Sequence, residues 1–285
     1  MDEQGIDMTS TRGRIGFMQG RLSPVVDGRV QAFPWGHWQQ EFAAAAQIGL
    51  NLMEWTIDQD RISENPLMTE AGRSEIAQLS AESGILVRSL TGDCFMQAPF
   101  WKCSGSVRDM LVRTLDDLLE ACTKLEIRYV VIPLVDNGSL NTSEERNVLE
   151  QVLLARADML RESAQVVAFE SDYAPTELAK FIDGFPSDCF GINYDIGNSA
   201  SLGWDPGIEI PLLQTRIVNV HVKDRLLGGT TVPLGTGSAN LPRVFAELKA
   251  AAYDGDYILQ TARAVDGDHA AALARYRQFV SEQIG

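Results

Sequence analysis

Residues 166–170 read VVAFE, 191–195 read GINYD, 217–221 read IVNVH and 257–260 read YILQ. Each is a short apolar run that finishes on a side chain able to coordinate a cation: Glu170, Asp195, His221 and Gln260. The ends follow one another at intervals of 25, 26 and 39 positions. That interval suits one strand plus one helix, since a barrel of eight such units takes about 250 residues. A single strand ending in a carboxylate decides nothing. Four successive strands ending in Glu, Asp, His and Gln predict a ring of oxygen and nitrogen donors around one point.

Outward from these four runs, the same alternation extends over the chain. Strands are predicted at 14–18, 50–55, 86–90 and 129–133, then at 166–170, 191–195, 218–222 and 257–260. Helices are predicted at 38–48, 69–83, 107–125, 144–163, 175–182, 207–213, 241–252 and 268–283. The third shows its period plainly: Val107, Met110, Leu111, Leu115, Leu118, Leu119 and Cys122 recur at steps of three and four. Thr142 or Ser143 opens the fourth, with acids in the first turn that complement the helix dipole. Eight strand–helix pairs fit a (β/α)8 TIM barrel better than an open sheet. The nucleotide-binding open sheet carries a Gly-rich first turn, whereas this chain has Met18-Gln19-Gly20-Arg21 there. No Pro- or Gly/Ser-rich linker divides it, so the expectation is a disordered lead-in over 1–13 and one barrel domain over 14–285.

Bulk composition narrows the partners. A formal charge of −15 opposes the counterion release that nucleic-acid binding requires. No apolar run reaches the roughly 18–20 residues that span a bilayer, and the polar start lacks a signal-peptide core. Cys94, Cys103, Cys122 and Cys189 have neither CxxC spacing nor the density of a disulfide scaffold, which predicts reduced thiols and a cytoplasmic protein.

Barrels of this class place their chemistry where the strands end. Gln19 and Arg21 follow the first predicted strand, Glu54 ends the second, and Asp93 with Phe95, Met96, Phe100 and Trp101 follows the third. Asp136 and Asn137 follow the fourth, Asn198 the sixth, and Lys223, Asp224 and Arg225 the seventh. Any one of these has an ordinary role as a cap, an ion pair or a structural histidine. The convergence of strands five to eight on one arc favours a single divalent ion on Glu170, Asp195, His221 and Gln260. Ligand bonds there would be about 2.0–2.3 Å. The donors suit Mn, Mg, Co or Zn without selecting one, and no thiolate marks a structural zinc. Aromatic loops (Phe33, Trp35, Trp38; Phe95, Phe100, Trp101) are expected either to wall off water and stack on a ligand ring or to meet a second subunit, as in a homodimer or homotetramer.

The strings VAFESD, INYDIGN, VNVHVKDR and VPLGTGSAN…YILQTAR, with the opening RIGFMQGRLSP, resemble the xylose-isomerase-like TIM-barrel superfamily of sugar-phosphate isomerases and epimerases. The resemblance runs over nearly the whole chain. It implies one divalent metal on Glu170, Asp195 and His221, with Gln260 standing where relatives have a second glutamate. In the superfamily's sugar 3-epimerases the two glutamates move protons on opposite faces of the substrate. Gln does not titrate, so Gln260 cannot serve as acid or base. Asn198 likewise stands where those epimerases have a substrate-binding histidine.

The leading expectation is a metal-dependent isomerase or epimerase of a small sugar or sugar phosphate. Glu170 would abstract a proton beside a metal-polarised carbonyl and Lys223 would stabilise the enediolate. Lys223 or Asp224 is the candidate replacement for the second proton carrier. Gln19, Arg21, Glu54, Trp101, Asn198, Asp224 and Arg225 are the candidate substrate contacts. Two alternatives stand beside it: a lyase or dehydratase of a keto-sugar or cyclic polyol, and a non-catalytic sugar-binding barrel. An apurinic-site endonuclease of the same fold needs a histidine-rich three-metal site, and this chain has three histidines in all.

Overall fold

The computed structural model describes residues 15–285. The first half runs β1 (Ile15–Met18), α1 (Trp38–Gln47), β2 (Leu52–Thr56), α2 (Glu70–Ser83), β3 (Leu86–Thr91), α3 (Asp93–Gln97), α4 (Gly105–Lys124) and β4 (Tyr129–Leu134). It continues α5 (Ser143–Leu154), α6 (Ala157–Glu162), β5 (Val166–Ser171), α7 (Pro175–Ile182), β6 (Phe190–Asp195), α8 (Ile196–Leu202) and α9 (Pro206–Leu213). The last stretch is β7 (Ile217–Val222), β8 (Asp224–Arg225), β9 (Thr231–Val232), α10 (Leu241–Ala250), β10 (Asp256–Leu259) and α11 (His269–Ile284). Eight parallel strands close in the order β1-β10-β7-β6-β5-β4-β3-β2, which is the predicted (β/α)8 TIM barrel. The 1–13 lead-in and Arg14 lie outside the described residues.

Strands covered on both faces need apolar side chains throughout, and VVAF, FGI and IV supply them. Alternation then decides what enters the barrel. Gly16 sits inside near the bottom, where a Cβ would lie 2.7 Å from Leu52 Cβ and 2.9 Å from Ile258 Cδ1. Higher up, Asn193 and Asp195 on β6, and Asn219 and His221 on β7, face inward two residues apart. Two bulges aim this layer. The β2–β3 register shifts between Met53 and Glu54, and the β6–β7 register between Ile192 and Asn193. Each shift stands immediately before a polar side chain that turns into the barrel.

The helices cover the outside. Leu111, Leu115, Leu118, Leu119 and Cys122 of α4 are buried, as its period predicts. The helix predicted over 144–163 is instead two, α5 and α6. At the break Arg156 donates its backbone N–H to Leu153 O and a guanidinium hydrogen to Val152 O, while also holding Asp116 of α4. Its side chain competes for the carbonyls that a continuous helix would use. The aromatic loops also differ from expectation: Phe33, Trp38, Phe95, Phe100 and Trp101 are buried within the core. Phe33 and Trp38 pack on Trp55 with ring centroids 5.5 Å away, and Phe100 packs on Trp101 at 4.9 Å.

Candidate metal centre and active site

Three of the four predicted ligands meet at the top of the barrel. Donor atoms of Glu170, Asp195 and His221 lie within 4.8 Å of one another, all buried. β5, β6 and β7 are hydrogen-bonded neighbours, and Asp195 stands in register with His221. His221 Nδ1 is 3.1 Å from Glu170 Oε2 and 3.7 Å from Asp195 Oδ2. Gln260, the residue after β10, stands beside them: its Oε1 and Asp195 Oδ2 each accept from Lys223 Nζ at 3.1 Å.

A buried shell orients each of these groups. His221 Nε2 lies 2.6 Å from Glu54 Oε1, which also accepts from the Thr91 hydroxyl. Asn219 Nδ2 donates to Glu54 Oε2 and to Asn193 Oδ1, each at 2.9 Å. Asn193 Nδ2 donates to Glu170 Oε2 at 2.9 Å and lies 3.0 Å from His221 Nδ1. With Nε2 directed at Glu54, Nδ1 is the nitrogen left to face the two carboxylates, the arrangement by which outer carboxylates orient metal-binding imidazoles. Asp195 Oδ1 accepts from Asn198 N at 2.8 Å and caps α8, which leaves Oδ2 for the site. Asn198 Nδ2 donates to Glu170 Oε1 at 2.6 Å. Its Oδ1 accepts from Arg225 at 2.8 Å and Lys223 at 3.3 Å.

Charge in this cluster calls for a cation. Burial lowers the His221 pKa, but the Glu54 charge and the ring's contacts with the Asp195, Glu170 and Glu54 carboxylates hold it well above its usual value. Burial raises Asp195, yet the charges of Lys223 and His221 keep it far below the ordinary carboxylate range. Glu54 is lowered too, its burial outweighed by His221. Two buried carboxylates facing an imidazole nitrogen favour either a proton on the ring or a divalent ion between them. The donors are all oxygen and nitrogen, and the four cysteines are free. The residues fit a borderline or hard divalent metal.

Above the cluster opens a cavity of about 370 Å³, within the range of small-ligand sites. Glu170, Asn198, Lys223 and Gln260 form part of its wall, with Arg21, Gln31, Asp93 and Arg225. Arg21 donates to Thr261 O, Val30 O and Gln31 Oε1. Burial and the neighbouring Arg263 lower it to about 10, so it stays cationic at neutral pH. The other predicted contacts do not reach this wall. Gln19 is buried, with its Oε1 accepting from Thr56 N. Glu54 lies below, behind His221. Trp101 is in the core. Asp224 accepts from the backbone amides of Gly235, Gly237 and Ala239, which shapes the connection between β9 and α10. A Cβ on Gly237 would lie 2.2 Å from Asp224 Oδ1, so glycine is required there. Asp224 is fully buried and does not line the cavity, which keeps it from exchanging a proton with a ligand there.

Sequence reasoning passed over Gln31, Asn193 and Asn219. The two asparagines carried a usable signal, since each precedes a predicted ligand by two residues and shares its face. Gln31 carried none, because it comes from the long β1–α1 connection. Its Oε1 accepts from Gln260 Nε2 at 2.9 Å and its Nε2 donates to Asp93 Oδ2 at 2.7 Å.

Among known proteins, a family described as xylose isomerase-like TIM barrel matches residues 42–278. Similar proteins include the L-ribulose-5-phosphate 3-epimerase UlaE of Escherichia coli O1:K1 / APEC, 23% identical over 266 residues that cover 89% of this chain and 93% of that one. The fold is similar to that of D-allulose 3-epimerase from Methylomonas sp. in complex with D-allulose, at a TM-score of 0.75 and 15% identity, covering 95% of this chain and 97% of that one. It is similar also to that of an L-ribulose 3-epimerase, at a TM-score of 0.72 and 16% identity over 95% and 94% of the two chains. The family match spans most of the barrel, and the chain belongs to the xylose isomerase-like TIM-barrel family.

Proposed function

We propose that this chain is a divalent-metal-dependent isomerase or epimerase of a small sugar or sugar phosphate, with Glu170 as the base that removes a proton beside the substrate carbonyl. The observation that carries the reading is the meeting of Glu170, Asp195 and His221, of which Glu170 also lines a polar cavity. The sugar epimerases among its relatives support it. Glu170, Asp195, His221 and Gln260 Oε1 would hold the ion, which when bound supplies Lewis-acid polarisation of a carbonyl.

The chain's own groups supply the rest. Glu170 is fixed by Asn193 on one oxygen and Asn198 on the other, so its lone pairs have a set direction. Lys223 has three acceptors for its three ammonium hydrogens, on Asp195, Asn198 and Gln260. Fixed by these three acceptors beside the site, it stabilises negative charge that develops on the substrate. Arg21 and Arg225 add positive charge to the cavity wall and suit an anionic substituent such as a phosphate. The Gln at 260 supports the alternative readings, a lyase or a sugar-binding barrel. Exposed Val30, Leu226 and Leu227 support the expected homo-oligomer.

Metal analysis tests the reading. Purified protein dialysed against Mn or Co should retain about one ion per chain. His221→Ala should retain none while keeping its fold by circular dichroism. Equal occupancy in the variant would remove the metal centre from the account.

A further inference from the structure

The reading of Glu170 as base leaves the second proton carrier unassigned, and the surroundings of the cavity narrow the choice. Gln260 does not titrate. Lys223 has every ammonium hydrogen engaged, Asp224 is fully buried away from the cavity wall, and Glu54 is locked behind His221. Asp136 is exposed, and Asp172 accepts from Ser139 at the rim. Asp93 remains. It opens α3 directly after β3, is 7% exposed, and shares the cavity wall with Glu170. From the geometry, we infer that Asp93 is the second proton-transfer group of the site, held by Gln31 and acting on the substrate from a different side than Glu170.

Three observations support the assignment, which rests on the proposed function. Only Oδ2 of Asp93 is engaged, by Gln31 Nε2 at 2.7 Å, and no hydrogen bond from a described residue reaches Oδ1. Gln31 in turn accepts from Gln260 Nε2 and Arg21 Nη2, so a hydrogen-bonded chain ties Asp93 to the edge of the metal centre. The third is the charge around it. The groups that bear on Asp93 are Asp58 after β2, Glu170 on β5, Arg21 after β1, and the adjoining Cys94 thiol. Burial, opposed by the Gln31 bond and Arg21 but joined by the charges of Asp58 and Glu170, pushes the carboxyl up to about 7. A carboxyl of that strength both gives and takes a proton near neutral pH.

In an epimerisation Glu170 takes the proton from the carbon next to the carbonyl, and the C–H electron pair passes into the enediolate. Asp93 then delivers its own proton to the opposite face of that carbon and the new C–H bond forms. Glu170 ends protonated and Asp93 ionised, and exchange with solvent in the cavity restores both. No oxidant or reductant enters.

The test uses metal-loaded full-length protein with L-ribulose, D-allulose and L-ribulose 5-phosphate as probes in deuterated water. In Asp93→Asn, epimer formation should fall at least about 100-fold, while deuterium still enters the recovered substrate with retained configuration. Asp93→Ala should recover epimerisation with added formate, which a merely structural aspartate would not show. Independently of turnover, the infrared band of protonated carboxyl at pH 6 should lose intensity in Asp93→Asn. Epimerisation by the variant within about threefold of wild type would overturn the inference. So would parallel loss of exchange and epimer without formate rescue, or an unchanged carboxyl band. Wild-type protein that exchanges no proton of any probe overturns the proposed function and this inference together, and that failure is visible before any variant is made.

Discussion

Glu170 and Gln260 occupy equivalent places at the ends of their strands, and one atom separates their chemistry. Glu170 presents a carboxylate held from both sides by amides, whereas Gln260 presents an amide whose oxygen faces Lys223 and whose nitrogen faces Gln31. The site is therefore asymmetric by construction. Behind it, Glu54 holds His221 through a 2.6 Å contact. Glu54→Gln would set an amide nitrogen against the donors around it, and metal affinity should fall about 10–100-fold by calorimetric titration, the range for such outer partners. A second buried acid lies farther off. Glu41 accepts from the backbone amides of Gly20 and Leu22 at 2.8 and 2.9 Å, and burial raises it to about 7 despite them. The folded protein thus keeps a proton that the unfolded chain releases between about pH 4.5 and 7. Its contribution to stability is largest below that window, falls as pH rises through it, and is level above. Glu41→Gln should flatten that part of the denaturation profile and, by leaving one amide unpartnered, cost about 1–3 kcal/mol.

Elements differ in how plainly the sequence shows them. The barrel strands were legible because burial on both faces writes an unbroken apolar run, and α4 because its period is long. The short helices α3 and α8 and the β8–β9 hairpin were not, because five to seven residues carry too little periodicity and β8 has only two. Yet these pieces build much of the cavity wall: α3 brings Asp93, α8 brings Asn198, and β8 brings Arg225. The triad was legible from strand-end spacing alone. Its supporting layer depends on two bulges, which no local pattern announces. In α8, Gly197 has a definite task, since a Cβ there would lie 2.6 Å from Lys223 Cγ. Gly197→Ala should push Lys223 off its three acceptors and lower turnover about 10–100-fold, with the fold and metal content retained. Unchanged kinetics would remove Lys223 from the charge-stabilising role.

At the scale of the molecule, the candidate ligands come from β5, β6 and β7 with Gln260 after β10, so an ion there would tie half of a closed barrel together. Binding to the folded state alone should stabilise it by about 2.7 kcal/mol at a hundredfold excess over Kd. The melting temperature should rise with Mn concentration in wild type and stay level in His221→Ala. The strong negative charge predicts no retention on heparin or DNA at physiological salt. The most direct test of metal-assisted proton abstraction by Glu170 is NMR detection of deuterium entering a ketose from solvent. It would compare metal-loaded wild type with Glu170→Gln, which keeps an oxygen ligand and loses the base. The account predicts exchange at the carbon beside the carbonyl in wild type and a rate at least about 100-fold lower in the variant. Equal exchange in both proteins, or none in wild type with any ketose or ketose phosphate, would contradict it.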